Sequence, residues 1–600
     1  MKICYNGSAN TTIGENMNNT KINNHANLIW SIADKLTGVY KPHEYGLVIL
    51  PMRVLRRFDI ILEKDKQEFL DKAKTISKDN AFRDKLLKKA SGHQFYNESD
   101  YTIKTLIDDT DHLSENFNTY IEGYSEEVKQ ILLKYFKFGA QIDKLNENNL
   151  LYIVLKEMST VDLHPNTVSN IEMGYIFEEL IRRFSEAHNE DAGQHYTPRE
   201  VIRLMINILF NEDRNILAGK NIAKTIYDPA CGTGGMLTVA EEYLRELNKD
   251  AKLITFGQEI NDETYAICKS DILIKGLDAE NVKFGNTLSS DQFKDVKFDY
   301  IISNPPFGRE WKQDKEFIER EARQGMAGRF GYGLPAVSDG QMLFLCHAIS
   351  KMKDIKDGGS RIAIIHNGSP LFNGDAGSGP SEIRRHILEN DLLETIISLP
   401  NDIFYNTGIT TYLWILDNNK PKMKKGKVQL IDANKIFKKM RKSLGNKRNE
   451  ISEEQIKEIT RIYGEYKEGV YKINDKELEV KIFDNDTFGY SKVVVNTPLK
   501  DEKGNVVYDK KGNIQIDKEK TDTENIPFGT DFDEYMQKNV LPYNQGAFID
   551  ESKTKIGYEI PFTRFFYKYT PPRDEKEIFD EIKQLEKQET SLMRELFGNK

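Results

Sequence analysis

Four consecutive residues, Asn304, Pro305, Pro306 and Phe307, follow the apolar segment 298–303 and carry the strongest chemical signal in the sequence. An exocyclic amine on an aromatic ring, such as adenine N6, is a poor nucleophile because its lone pair is delocalised into the ring. Two acceptors on its N–H bonds, the Asn304 side-chain oxygen and the Pro305 carbonyl, can draw that nitrogen toward tetrahedral geometry. The prolines fix the backbone, and Phe307 offers a stacking face worth about 1–3 kcal/mol. The alternative is an inert, proline-rich strand exit.

A glycine-rich turn over residues 228–237 lies between a predicted strand and a predicted helix, and Asp228 precedes Asn304 by 76 residues. Glycines at such a turn let a ligand approach the backbone closely, and the helix N-terminus faces that ligand. Asp228 can accept a hydrogen bond from an ammonium or hydroxyl group. The candidate binding residues are Asp228, Ala230, Gly232, Thr233, Gly234 and Gly235. The alternative is a tight turn that binds nothing.

Two further strand ends carry polar residues. Glu259 lies 24 residues beyond Gly235, at the end of the second predicted strand, where a Rossmann-like domain binds ribose hydroxyls. The third predicted strand is followed by Asn286, Thr287 and Leu288. Two interpretations of Asn286 stay open: its side chain contacts the adenine ring of a cofactor, or it simply caps a turn.

The elements that must position these residues form an alternating pattern between about residues 220 and 417. Short β-rich segments alternate with helical segments, which predicts βαβ units and an α/β fold with a mostly parallel, doubly wound, Rossmann-like sheet. The predicted strands begin near residues 225, 253, 282, 298, 361, 394 and 411.

Helical periodicity dominates the segment before this sheet. Apolar residues at three-to-four spacing predict helices through 28–165 and another over 170–188. In the loop that follows, Thr197, Pro198 and Glu200 are predicted as N-cap, N1 and N3 of the next helix, a capping-box arrangement. The segment 324–333 is either a mobile loop near the substrate or a plain surface loop.

Beyond residue 420 we predict an α-rich extension. The basic segment 435–442, continued by Lys447 and Arg448, is predicted to be a helix whose charged face is solvated or contacts DNA. Two Gly-Asn pairs within 503–517 indicate a hairpin. The last segment, 574–597, is predicted to be a long amphipathic helix with apolar residues at Ile578, Ile582, Leu585, Leu592 and Leu596, interrupted by Glu589.

Composition limits the function classes. Hydrophobic residues make up 39% and charged residues 30% of 600 residues, and no apolar run reaches the roughly 20 residues that span a bilayer. The N-terminal 27 residues have no signal-peptide core. The four cysteines form no C-x-x-C pair, so we expect no metal site and a reduced, cytoplasmic protein. A formal charge of −9 means that any DNA affinity must come from local basic clusters or from a partner.

The segments 228–237 and 304–308 together resemble the amino-methyltransferases that modify adenine N6. More narrowly, the chain resembles the modification subunit of type I restriction–modification systems. The same resemblance is carried by the segments 30–36, 44–59, 174–181, 193–198, 338–341, 366–368 and 399–400, and by Phe404, Thr407 and Gly408. It covers roughly residues 28–470 and the final helix, whereas residues 490–530 have no assignable family role.

The resemblance implies roles that spacing does not show. Asp228, Gly232, Gly234 and Glu259 would bind S-adenosylmethionine, and a loop of Gln194, His195, Tyr196 and Thr197 would close over its methionine end. Residues 304–307 would hold an adenine flipped out of the duplex, and methyl transfer would be an SN2 displacement without a metal. The terminal helix would join a specificity subunit, giving two copies of this chain per specificity subunit, and cleavage would belong to a restriction/translocase subunit.

The implied domains are a disordered tail over 1–27, an N-terminal helical domain over 28–165, a methyltransferase domain over 166–420, an extension over 421–573 and a partner-binding helix over 574–600. Three alternatives stay open: a stand-alone adenine methyltransferase, an enzyme that modifies protein glutamine, and a catalytically silent scaffold of a restriction complex. Cys231 is not expected to be a nucleophile, because the Pro-Cys dipeptide of cytosine carbon-5 enzymes is absent from the sequence.

Overall fold

The computed structural model describes residues 30–186, 197–405, 407–569 and 572–598. The predicted tail over 1–27 and three predicted site residues, Gln194, His195 and Tyr196, lie outside these ranges. Within them, no helix has both the length and the apolar character that crossing a membrane requires.

The segment before the sheet is helical, as its apolar periodicity predicts. Residues 30–36 are helical, and the helices that follow bury their apolar faces in two cores, a small one shared by the helices over Lys66–Thr75 and Arg83–Ser91 and a large one shared by the others. These helices are α1 (Gly46–Glu63), α2 (Lys66–Thr75), α3 (Arg83–Ser91), α4 (Ile103–Leu106), α5 (Leu113–Glu122), α6 (Glu126–Lys129), α7 (Phe138–Glu147), α8 (Leu151–Ser159) and α9 (Asn170–Glu186), with a π-helical turn over Gln130–Tyr135.

A mixed sheet of mostly parallel pairs forms the centre of the molecule, so the predicted fold class is confirmed. The seven predicted strands are all present: β1 (Ala223–Asp228), β2 (Lys252–Glu259), β3 (Val282–Phe284), β4 (Tyr300–Ser303), β5 (Arg361–His366), β6 (Leu393–Ser398) and β7 (Tyr412–Asp417). Every residue of β4, β5, β6 and β7 is buried, as expected for strands covered on both faces.

Helices connect and cover these strands. They are α10 (Arg199–Leu209), α11 (Arg214–Leu217), α12 (Gly235–Leu247), α13 (Asp262–Ile274), α14 (Lys315–Ala322), α15 (Gln341–Ser350), α16 (Ser369–Phe372) and α17 (Gly379–Glu389). The helix α10 begins at Arg199 with Pro198 as its N-cap and no side-chain cap, so the predicted capping box on Thr197 is wrong. The side chain of Thr197 bonds instead to Asn304, and Glu200 pairs with Lys447.

The order of the strands brings the predicted site together. The strand β1 lies between β2 and β4, and both pairings are parallel, with Asp228 opposite Gly257 and Tyr227 opposite Ile301. The carboxyl ends of β1, β2, β3 and β4 therefore lie along one edge of the sheet. In open α/β sheets this is the edge where ligands bind.

Strands from beyond residue 420 extend the same sheet. These strands are β8 (Lys427–Asp432), β11 (Gly469–Ile473) and β12 (Lys476–Asp484), and the full order is β11-β12-β8-β6-β7-β5-β4-β1-β2-β3. The predicted domain boundary at residue 420 thus falls within one continuous sheet.

The rest of the extension is richer in strands than predicted, so the expected α-rich character is wrong. A separate ribbon is formed by β9 (Lys438–Leu444) and β10 (Lys447–Glu450), where the sequence had indicated a basic helix. It is followed by the helix α18 (Glu453–Glu465). A three-stranded sheet contains β13 (Gly489–Asn496), β14 (Asp522–Pro527) and β15 (Phe548–Tyr558), with the short helix α19 (Phe532–Tyr535) before β15.

The hairpin predicted within 503–517 is confirmed. Antiparallel bridges join Lys500 to Val506 and Tyr508 to Ile514. Each turn ends in a glycine with a left-handed backbone, Gly504 and Gly512, both at φ +84°.

The chain divides into two compact units, Met1–Ile560 and Pro561–Lys600. The second unit contains α20 (Phe562–Phe566) and the long amphipathic helix α21 (Glu575–Phe597), as predicted. Along α21 the side chains of Ile578, Ile582, Leu585 and Leu592 are all exposed. The side chain of Leu596 lies outside the described residues.

Candidate active site

The end of β4 presents Asn304 to a cavity. Its Nδ2 donates a hydrogen bond of 2.9 Å to Oγ1 of Thr197, which precedes α10. Its Oδ1 is buried and has no hydrogen-bond partner among the described residues. A buried acceptor without a partner costs about 1–3 kcal/mol, and such a group calls for an explanation. An amine donor brought by a ligand would satisfy this oxygen.

The end of β1 presents Asp228, which is 2% exposed. Its Oδ1 accepts hydrogen bonds from the backbone N–H of Ala230 at 3.0 Å and from Ser303 Oγ at 3.2 Å. Burial raises the pKa of Asp228 to about 7, and the nearby carboxylate of Glu259 adds to this rise. A buried carboxyl with so high a pKa is suited to binding a cation, which would restore its charged form.

The end of β2 presents Glu259, and three backbone N–H groups fix its carboxylate. Oε2 accepts from Gly232 at 2.8 Å, and Oε1 accepts from Ile260 at 2.9 Å and from Asn261 at 2.8 Å. An ionised carboxylate offers about four acceptor sites, so one site stays available to a hydroxyl group. This geometry suits the predicted contact with a ribose.

Two glycines shape the turn after β1. Gly232 has φ +53°, and this conformation directs its N–H to Glu259. Gly234 has φ +81° and is the N-cap of α12, and a Cβ atom there would lie 2.7 Å from Sγ of Cys268. A side chain at residue 234 would therefore meet both backbone strain and a steric clash.

The segment after β3 is fixed from two sides. Oδ1 of Asn286 accepts from the N–H of Leu288, and its Nδ2 donates to Asp314, so the amide caps a turn while it lines the cavity. The carbonyls of Thr287 and Leu288 accept from the guanidinium of Arg329. Because Arg329 belongs to the segment 324–333, that segment supports the wall of the cavity.

Phe307 is half-buried, and its ring packs edge-to-face against the ring of Phe404, with centroids 6.4 Å apart. Such a pair stabilises both rings by about 0.5–1.5 kcal/mol beyond burial. Pro305, next to Asn304, is buried. The ring predicted to stack on the base is thus held in place by a second aromatic ring.

The cavity has a volume of about 470 Å³, within the range of small-molecule sites. The sequence-predicted residues that line it are Thr197, Asp228, Ala230, Gly232, Thr233, Gly235, Glu259, Asn286, Thr287, Leu288, Asn304 and Pro306. Among the predicted residues that the structure describes, three do not line it: Gly234 shapes the turn after β1, whereas Pro305 and Phe307 lie beside the cavity.

Sequence reasoning missed several lining residues. These include Ile260, Asn261, Arg309, Glu310, Trp311, Asp314 and Phe344. Ile260 and Asn261 directly follow Glu259, so their place after a strand end was an available signal. The segment 309–314 carries no recognisable spacing, and only the fold brings it to the site.

Cys231 lines the cavity but is not suited to act as a nucleophile. The neighbouring Cys268 thiol and burial raise the pKa of the Cys231 thiol well above its ordinary value, so it stays protonated at neutral pH. Within the described ranges, no group of His, Cys, Asp and Glu residues could hold a metal ion.

Comparison with known proteins gives the family. Residues 169–509 match the N-6 DNA Methylase family, and residues 25–158 match the HsdM N-terminal domain. The chain is 25% identical over 531 residues to the type I restriction enzyme MjaIX methylase subunit of Methanocaldococcus jannaschii. This alignment covers 85% of this chain and 87% of that protein. The chain is 28% identical over 269 residues to the HindI methylase subunit of Haemophilus influenzae, covering 44% and 54% respectively.

A solved structure shares the fold. The type I restriction–modification methyltransferase subunit from Streptococcus thermophilus superimposes with a TM-score of 0.59 at 24% identity, over 76% of this chain and 95% of that one. The first family match alone extends over more than half of the 600 residues. This chain therefore belongs to the N-6 DNA methylase family, as an adenine-specific DNA methyltransferase of the type I restriction enzyme methylase subunits.

Proposed function

We propose that this chain transfers a methyl group from S-adenosylmethionine to N6 of an adenine flipped out of duplex DNA. The observation that carries the proposal is the buried, unpartnered Oδ1 of Asn304, on the wall of the cavity that Asp228 and Glu259 also line. A base amine is the donor that this oxygen lacks. Flipping is required because N6 of a stacked and paired adenine cannot reach such a pocket.

The residues present fit S-adenosylmethionine. Asp228 would bind a positively charged group, and the acceptor site left on Glu259 would bind a ribose hydroxyl. The left-handed turn at Gly232 lets a ligand approach the backbone closely. The cofactor supplies an electrophilic methyl group on a positively charged sulfur.

Catalysis by the chain itself is then electrostatic and geometric. Oδ1 of Asn304 would accept one N–H of the amine, and the carbonyl of Pro305 the other, which concentrates the lone pair on the nitrogen. Because Thr197 holds Nδ2 of Asn304, the acceptor is oriented before the base arrives. Phe307 would stack on the base, and the alignment of amine and methyl group would supply much of the acceleration.

We further propose that the chain works within a type I complex, with two copies per specificity subunit and with a separate restriction/translocase subunit. The exposed apolar residues of α21 are suited to pack against helices of a specificity subunit. A formal charge of −9 also favours a partner that supplies much of the DNA affinity. The domain boundaries predicted from the sequence belong to the same proposal, except the boundary at residue 420, which falls within one continuous sheet.

The first experiment follows labelled methyl from S-adenosylmethionine to genomic DNA, with this chain alone and with its specificity subunit, and maps the modified base. We expect N6-methyladenine only in the presence of the partner. Transfer by the chain alone would favour a stand-alone enzyme. Cofactor binding and assembly without any transfer would favour a silent scaffold.

Two matched variants test the assigned roles. Asn304→Ala should abolish transfer and leave the affinity for S-adenosylmethionine nearly unchanged. Asp228→Asn should lose most of that affinity. If Asn304→Ala loses cofactor binding instead, the orphaned oxygen belongs to the cofactor site and its assignment to the target base is wrong.

A further inference from the structure

The ribbon formed by β9 and β10 is strongly basic. Residues 438–450 contain six Lys or Arg residues and one Glu, in a chain whose formal charge is −9. Five of these cations are exposed: Lys438, Lys439, Arg441, Lys442 and Arg448. The sixth, Lys447, is buried and anchors the ribbon.

The exposed cations of the ribbon have no carboxylate partner within the described ranges, since none of the five takes part in an ion pair there. Along a strand successive side chains point to opposite faces. Lys438 and Lys439, which pair with Glu450 and Asn449 before the register shifts, therefore lie on opposite faces of the ribbon. The ribbon thus presents positive charge on both faces.

The turn and the second strand of the ribbon are bonded to the segment 401–405. The N–H of Asn446 donates to the carbonyl of Tyr405 at 3.0 Å, and the N–H of Arg448 donates to the carbonyl of Asp402 at 2.8 Å. Nδ2 of Asn449 donates to the carbonyl of Asn401 at 2.8 Å. The ammonium of Lys447 donates to the carbonyl of Ile403 at 3.2 Å.

These anchors connect the ribbon to both sides of the target-base site. Phe404, within the anchoring segment, packs against Phe307. Lys447 also pairs with Glu200, three residues after the Thr197 that holds Asn304. The ribbon is therefore fixed at the edge of the sheet where we place the flipped adenine.

We propose that the β9–β10 ribbon binds backbone phosphates of the DNA duplex next to the target adenine. Lys and Arg on both faces suit phosphate contacts, which depend on charge and carry no sequence information. The strand β9 has seven residues and spans about 20 Å, enough to follow several phosphates. The inference rests on the proposed function, because it places the DNA over the Asn304 cavity.

The test compares two quadruple variants in the complex with the specificity subunit, with a 40-base-pair duplex of mixed sequence as the probe. The ribbon variant is Lys438→Gln, Lys439→Gln, Arg441→Gln and Lys442→Gln. The control variant is Lys220→Gln, Lys249→Gln, Lys422→Gln and Lys425→Gln. These four control lysines are exposed and precede β1, β2 and β8, at the amino ends of the strands. Both variants remove four positive charges.

The readout is the slope of log Kobs against log salt. Each lost phosphate contact lowers the magnitude of this slope by about 0.9, so we expect a decrease of about 2 to 4 in the ribbon variant only. At about 0.1 M salt its affinity should fall at least about tenfold, whereas the control variant should match the wild type. Equal slopes in wild type and ribbon variant, or equal losses in both variants, would overturn the proposal.

A second measurement needs no variant. Lysine acetylation of the wild-type complex, with and without the duplex, should show protection of Lys438, Lys439 and Lys442 but not of Lys422 and Lys425. Absence of protection would contradict the ribbon's role. The two proposals can fail separately. A wild-type complex that transfers no methyl group would contradict the proposed function. If the slope of log Kobs against log salt still decreases in the ribbon variant alone, the DNA-binding role of the ribbon remains supported.

Discussion

Ser303 Oγ donates a hydrogen bond of 3.2 Å to Oδ1 of Asp228, and this bond joins the ends of β4 and β1. Ser303 directly precedes Asn304, and Asp228 begins the glycine-rich turn. This bond therefore fixes the position of the residue proposed to bind the cofactor relative to the residue proposed to bind the target amine. Changes at Asp228 should affect cofactor binding first, and changes at Asn304 should affect transfer first.

The raised pKa of Asp228 predicts a pH-dependent cofactor affinity. Below pH of about 7 the carboxyl is protonated and cannot attract a cation. The association constant for S-adenosylmethionine should thus rise between pH 5.5 and 7.5, by up to about tenfold per pH unit at the acid end, and then level off. Isothermal titration calorimetry across this window measures the effect. Asp228→Asn should remove the rise, and an unchanged profile in that variant would assign it to another group.

The same group makes a prediction about folding. A folded pKa near 7 lies above the unfolded value of about 3.9, so native Asp228 keeps a proton that the unfolded chain has already released. Its contribution to the free energy of unfolding is therefore fully present below pH of about 4 and is lost as the pH rises to about 7. Urea unfolding of wild type and Asp228→Asn should show a smaller decline in the variant. A parallel decline in both would contradict the role of Asp228.

Two glycines with left-handed backbones, Gly234 in the turn after β1 and Gly276 after α13, predict substitutions of unequal cost. Gly234→Ala introduces a Cβ 2.7 Å from Sγ of Cys268 at φ +81°, whereas Gly276→Ala at φ +70° meets no atom within 4 Å. Both should lose about 1–2 kcal/mol from left-handed backbone strain. Gly234→Ala should lose about 1–3 kcal/mol more from overpacking. Urea denaturation measures both, and Cys268→Ala should restore part of the additional loss only in the Gly234 variant.

The exposed apolar residues of α21 predict that one substitution in this helix weakens binding to the specificity subunit and that a neighbouring substitution does not. Leu585→Lys places a charge in the apolar seam, and Gln584→Lys adds the same charge at the neighbouring exposed position. Leucine, glutamine and lysine all favour helices, so both variants keep the helix propensity of α21. We expect the affinity for the specificity subunit to fall at least about tenfold for Leu585→Lys, because a buried apolar seam cannot solvate the ammonium group, and to change little for the control. Calorimetric titration of the two subunits measures it, and equal affinities would place the interface elsewhere.

Buried elements of this chain could be predicted from the sequence because their signals are local. The strands that end at Asp228, Glu259 and Ser303 combine apolar, β-branched residues with a polar residue at the carboxyl end. The sequence therefore predicted the edge of the sheet where these ends meet and most of the residues that line the cavity. The ribbon β9–β10 could not be predicted in this way, because its first strand is exposed along most of its length and has no alternating pattern. Its conformation depends on anchors such as Lys447–Glu200, which join residues 247 positions apart.

Thr197 illustrates the same limit and gives the sharpest test of the mechanism. Its local sequence suggested an N-cap, but its hydroxyl bonds Asn304, 107 residues away. Thr197→Val keeps the shape and removes the acceptor for Nδ2, so the amide of Asn304 can rotate and lose its orientation. We expect the single-turnover rate to fall about 10- to 100-fold, the equivalent of about 1–3 kcal/mol.

Thr197→Ser provides the matched control, because serine retains the hydroxyl and should restore most of the rate. Thr197 also lines the cavity, so a direct contact with the cofactor is the competing explanation. The two are separated by measuring the dissociation constant of S-adenosylmethionine for Thr197→Val alongside the rate. If Thr197 acts through Asn304, the rate falls much more than the affinity. If it acts on the cofactor, the affinity falls and saturating cofactor restores the rate.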